Sequence, residues 1–120
     1  MTSYSNAGQL VFADVWLEKW PEWNAINDAA WNALEASGMT VLDEIVHQFE
    51  PQGTTAVWIL AESHMAIHTY PEENFIALDI FTCGNEGNPE KAAAVFAGAL
   101  RLKHMTVEST TRGGPMPKIG

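Results

Sequence analysis

Residues 54–82 hold three extended stretches in succession with only a few residues between them. TTAVWILA (54–61) is apolar and rich in β-branched side chains, and it reads as a strand buried on both faces. Residues 65–69 also read as extended, and FIALDIFT (75–82) as another strand. Parallel neighbours need long crossovers, so strands joined this closely pair antiparallel. If 75–82 is regular, side-chain alternation puts Phe75, Ala77, Asp79, Phe81 and Cys83 on one face.

The flanking segments complete the layout. LVFADVWL (10–17) reads as a strand. Residues 22–37 read as a helix, with Pro21 suited to a first helical position, Gly38 to a C-terminal cap, and Trp23, Ile26, Ala30 and Leu34 as the apolar stripe. Residues 40–50 are ambiguous. Leu42, Ile45, Val46 and Phe49 fit helical spacing, but the segment is short, β-branched and bounded by Gly38 and Pro51, which favours a strand. Asn88-Pro89-Glu90 opens a second helix: Asn caps, Pro fills the first turn, and Glu complements the positive end. Val95, Phe96, Ala99 and Leu100 are its expected core side, and HMTVESTT (104–111) closes as a strand. The order reads β-α-β-β-β-α-β. This predicts a single α+β domain over 1–120, a two-layer α/β sandwich with a mostly antiparallel sheet and two helices on one face. The other sheet face is left bare, which predicts a homodimer in an αββα arrangement.

Charge narrows the partners. Six basic and 15 acidic residues give a net charge of −9, which opposes nucleic acid and anionic membrane surfaces and favours a cationic small molecule. One cysteine, Cys83, excludes an intrachain disulfide framework and a multi-cysteine zinc site, and fits a reducing cytoplasm. The start of the chain has neither the basic nor the apolar region of a signal peptide. Uninterrupted apolar runs such as 56–61 are far too short to span a bilayer.

Reactive side chains concentrate in one stretch. Ser63, His64, His68 and Cys83 fall within 21 positions, with Tyr70, Glu72 and Asp79 among them and Glu62 just before. His64 and His68 have metal-ligand spacing only on a helix, which Pro71 and the β-branched neighbours oppose. With no HExxH pattern either, no metal site is predicted. GxSxG, P-loop and GxGxxG motifs are absent, which removes the common hydrolase and nucleotide signatures.

The stretch 61–84, AESHMAIHTYPEENFIALDIFTCG, closely resembles the signature of the bacterial and archaeal S-adenosylmethionine decarboxylases. The resemblance extends upstream through Gly38-Met39-Thr40-Val41 and His47-Gln48-Phe49-Glu50-Pro51-Gln52-Gly53. It implies a pyruvoyl-dependent enzyme that makes its own cofactor and supplies the aminopropyl donor for spermidine biosynthesis. The resemblance implies that the Glu62–Ser63 bond breaks without a protease, giving a β chain (1–62) and an α chain (63–120) that begins with a pyruvoyl group derived from Ser63. His68 is implied to assist processing, and Cys83 to protonate the substrate Cα. The implied pyruvoyl carbonyl would form a Schiff base with the substrate amine and draw off the charge left by decarboxylation. Phe49 and Tyr70 are implied to stack on the substrate, and Glu72 to hold its ribose hydroxyls. The two active sites are implied to lie at a dimer interface, each drawing residues from both protomers. Two other readings compete: a pyruvoyl-dependent decarboxylase of arginine or ornithine, and a non-cleaving homologue that binds a ligand or a partner subunit.

A serine hydroxyl is a weak nucleophile and needs a base or a strained target bond. Ser63 and His68 are an odd number of residues apart, so on one regular strand they face opposite ways. That parity predicts a turn or bulge near 63–64, or a contact made across strands.

Overall fold

The computed structural model describes residues 8–61, 63–83 and 87–118. The chain runs β1 (Gly8–Leu17), α1 (Trp23–Ala36), β2 (Val41–Gln48), β3 (Thr54–Leu60), β4 (Ser63–Tyr70), a 3₁₀ turn (Pro71–Glu73), β5 (Phe75–Thr82), α2 (Pro89–Gly98) and β6 (Leu102–Arg112). The six strands form one sheet in the order β2-β3-β4-β5-β1-β6, with every neighbouring pair antiparallel. The sequence order above counts one strand too few: the extended stretch at 65–69 is a full strand, paired along its length on both sides.

Period-two burial fixes the two faces. Val11, Ala13, Val15 and Leu17 of β1, Ala56, Trp58 and Leu60 of β3, Met65 and Ile67 of β4, and Ile76, Leu78 and Ile80 of β5 are buried in one core with both helices. Burying side chains such as Ile67 and Leu78 contributes about 1.5–3 kcal/mol each. The helices meet this face through Ile26, Ala29, Ala30, Ala33 and Leu34 of α1 and Ala92, Ala93, Phe96 and Ala97 of α2. The core side of α2 thus differs from the sequence expectation. Phe96 is buried and Val95 and Leu100 pack at the edge, but Ala99 is exposed because the helix ends at Gly98.

Helix ends follow local chemistry. Asn88 adopts extended backbone and its side chain accepts the Lys91 N–H at 3.0 Å, with Pro89 next, as expected of a cap. α1 starts one residue later than expected: Glu22 holds the capping position without a side-chain hydrogen bond, so Pro21 precedes the helix instead of opening it. Gly38 has φ +76°, the left-handed conformation that ends a helix at a glycine.

Among the described residues no helix covers the opposite face. Leu10, Phe12, Trp16, Val57, Ala66, Ala77 and Phe81 are only half-buried there, and Ile59 is exposed. Within one chain, β3 is therefore buried on one face, not on both.

Candidate active site

Two groups of the sequence-marked residues assemble, at opposite ends of β3 and β4. The first forms around Ser63. Leu60 pairs with Ser63, so only two positions separate the ends of β3 and β4. One of those positions is Glu62, which lies outside the described residues. Cys83 follows the last residue of β5 and is half-buried. Its backbone N–H donates to Ser63 Oγ at 3.4 Å, joining residues 20 apart in sequence. The register of β4 on β5, from Tyr70↔Phe75 to His64↔Phe81, carries the two ends together.

The second group lines a cavity of about 360 Å³ bounded by Phe49, Gln52, Gly53, Thr54, Thr55, His68, Thr69, Tyr70 and Glu72. The β2–β3 connection that carries Phe49 is closed by Phe49 N–H donating to the Gly53 carbonyl at 2.8 Å. Gly53 has φ +99°, a conformation that favours glycine. Thr69 points to the core face of β4, and its hydroxyl accepts the Thr54 N–H at 2.7 Å, which ties the loop to the sheet. Tyr70 ends β4, and the Pro71 turn places Glu72 one step beyond it on the cavity rim. Phe49 and Tyr70 are 49% and 43% exposed, so both rings are available to a planar ligand. His68 is held by Thr55, with Oγ1 and Nδ1 3.0 Å apart, a contact fixed by the Thr55↔His68 pairing.

These two groups do not meet within the chain. β4 pairs evenly with β3 through residues 63–68 and with β5 through 64–70, with no bulge. The turn expected near 63–64 is the β3–β4 hairpin, but it comes before Ser63, so no turn or bulge falls between Ser63 and His68. Nor does a cross-strand contact bring Ser63 to His68, since the neighbours opposite His68 are Thr55 and Ala77. Five residues of regular strand separate the two by about 17 Å, on opposite faces.

Sequence reasoning missed three supports of the cavity. Thr69 anchors the Gly53 loop. His47 meets the Phe49 ring edge-on, with centroids 4.5 Å apart at 69°. Phe75 stacks against Tyr70. Alternation along 63–70 was the available signal for Thr69, since it places a hydroxyl on the same face as Met65 and Ile67. The other two depend on packing across strands.

Comparison with known proteins gives one consistent answer. A family model described as S-adenosylmethionine decarboxylase matches residues 14–113. An S-adenosylmethionine decarboxylase proenzyme of Parasynechococcus marenigrum is 46% identical over 83 residues, which cover 69% of this chain and 65% of that protein. The Brevibacillus brevis proenzyme of the same name is 38% identical over 116 residues, covering 92% of this chain and 85% of that one. The match to the first relatives thus spans just under two thirds of their length. The crystal structure of the adenosylmethionine decarboxylase from Aquifex aeolicus superposes with a TM-score of 0.81 over 97% of this chain and 98% of that one, at 24% identity, a likeness of fold.

Proposed function

The chain belongs to the S-adenosylmethionine decarboxylase family, and on that premise we propose that it is a self-processing, pyruvoyl-dependent decarboxylase of S-adenosylmethionine. The observation that carries this reading is the closure of Cys83 onto Ser63, which puts a hydroxyl and a thiol-bearing residue together where β4 begins and β5 ends. A nucleophile in a tight connection between paired strands is well placed to turn on the bond that precedes it.

In the proposed maturation, Ser63 Oγ attacks the carbonyl carbon of Glu62 and the Glu62–Ser63 amide becomes an ester. Loss of the Ser63 Cα proton and of the Glu62 carboxylate leaves dehydroalanine. Water then replaces its nitrogen, which departs as ammonia, and a pyruvoyl group remains at the head of 63–120. The residues present fit that group: the serine that forms it lies at the start of β4, and the Cys83 N–H points at the oxygen that must move. When present, a pyruvoyl group supplies an electron sink for the charge that carboxylate loss leaves on the substrate Cα. The chain's own task is to bind and to move protons. Cys83 donates the proton to Cα. This requires a reduced thiol, which a cytoplasmic setting maintains.

The 360 Å³ cavity supplies recognition. Phe49 and Tyr70 offer faces to the adenine and to the sulfonium cation, and Glu72 accepts from the ribose hydroxyls. A net charge of −9 favours the approach of a cationic substrate. Since His68 lies about 17 Å from Ser63 in the same chain, we assign it to the site of a partner subunit. Two copies meeting through their open sheet faces form that homodimer, each cavity completed by the Ser63 and Cys83 end of its partner.

Mass spectrometry of purified protein tests the core of the reading. The expected result is two fragments, 1–62 and 63–120, the second with a blocked start. Release of CO₂ is expected from S-adenosylmethionine. Release from arginine or ornithine instead would redirect the substrate assignment. A chain that stays whole and releases none from any of the three would establish the non-cleaving homologue.

A further inference from the structure

Four rings from four adjacent strands form one row at an end of the open face. Tyr70 of β4 stacks on Phe75 of β5 with centroids 5.5 Å apart at 27°. Phe75 meets Trp16 of β1 at 5.2 Å and 35°, and Trp16 meets His104 of β6 at 5.7 Å and 37°. The register sets the row, because Tyr70↔Phe75, Phe75↔Trp16 and Trp16↔His104 are directly opposed pairs. Only Tyr70 lines the cavity.

We propose that Phe75 and Trp16 are positioning residues that hold the Tyr70 ring in the orientation in which it receives the planar group of the substrate. This rests on the reading of Tyr70 as a stacking platform. Tyr70 is 43% exposed and sits at a strand end, where a ring free to change rotamer must be ordered when ligand arrives. A ring already stacked on its other side loses less freedom on binding, and the gain appears as affinity. Phe75 is half-buried between Tyr70 and Trp16, so it acts through Tyr70 and not on the ligand.

Cross-strand aromatic pairs steady any sheet, so the test must separate support of Tyr70 from general stability. Steady-state kinetics of the cleaved protein with S-adenosylmethionine provide it. Phe75→Leu is expected to raise KM about threefold to tenfold, with kcat within about twofold and self-cleavage complete. Phe75→Tyr, which keeps the ring, restores KM. In a Tyr70→Ala background Phe75→Leu adds nothing further. If Phe75→Leu does not accumulate folded, Trp16→Leu decides by the same pattern with a smaller rise. The inference is overturned if KM is unmoved by these variants while Tyr70→Ala raises it, or if the full Phe75→Leu effect persists without Tyr70. A Tyr70→Ala protein with wild-type KM, or no turnover of S-adenosylmethionine, removes the stacking reading and this inference with it.

Discussion

Thr69 is a polar side chain on the core face of β4, and its hydroxyl answers the Thr54 N–H at 2.7 Å. Thr69→Val keeps the shape and deletes that acceptor, leaving a part-buried donor without its partner, at a cost of about 1–3 kcal/mol. The expected outcome is a Tm lower by several degrees and a raised KM, because the loop carrying Phe49 and Gly53 loses its tie to the sheet. Calorimetry and substrate titration check both, and an unchanged Tm counts against the tie. Ser63→Ala is expected to leave one uncleaved band on a denaturing gel with the fold intact. Cys83→Ala is expected to cleave substantially yet turn over slowly, and full activity in that variant removes Cys83 from its assigned role. Ser63, His68, Cys83 and Glu72 could be singled out in the sequence as candidates because chemistry restricts which side chains can serve and all four fall within one short stretch. Thr69 had only its place in the strand alternation as a signal, and His47 and Phe75 had none, because their contacts exist only once the strands are in register.

The two helices differ in how their ends are made. α2 has a capping Asn88, Pro89 in its first turn and Glu90 near its positive end. α1 has Glu22 in the capping position, φ −73° and ψ 156°, with no side-chain hydrogen bond to the free N–H groups. An aspartate in that position keeps the charge and has the shorter reach of a favoured capping residue. Glu22→Asp is expected to raise Tm by about 2–5 °C without altering cleavage, as a thermal melt measures, and a lower Tm counts against an unmet cap. The strong helix signals around Asn88 and Gly38 were readable because caps are local. In the segment 40–50 the spacing of Leu42, Ile45, Val46 and Phe49 fits a helix, while its shortness, β-branching and the flanking Gly38 and Pro51 favoured the strand that forms. Pairing with β3 from Val41↔Leu60 to Gln48↔Thr54 decides it. Likewise 63–70 gains its full length from partners on both sides, which a reading of isolated stretches undercounts.

At the scale of the whole molecule, the proposed chemistry needs groups that one chain holds apart. The Ser63 and Cys83 end and the cavity of His68, Tyr70 and Glu72 lie at opposite ends of β3 and β4, about 17 Å apart along β4. A decarboxylation that depends on near-contact geometry cannot bridge that gap. In the arrangement proposed above, a two-fold dimer through the open face closes it by bringing one protomer's cavity to the Ser63 and Cys83 end of the other. Complementation distinguishes the two arrangements. Cys83→Ala and Glu72→Ala chains are each expected to be poorly active alone. In a co-expressed mixture about half the dimers are mixed, and each mixed dimer has one site with both substitutions and one with neither. Activity should then return to about a quarter of the wild-type value. If every site were built within one protomer, both sites of a mixed dimer would carry a substitution, and the mixture would be no more active than its parents.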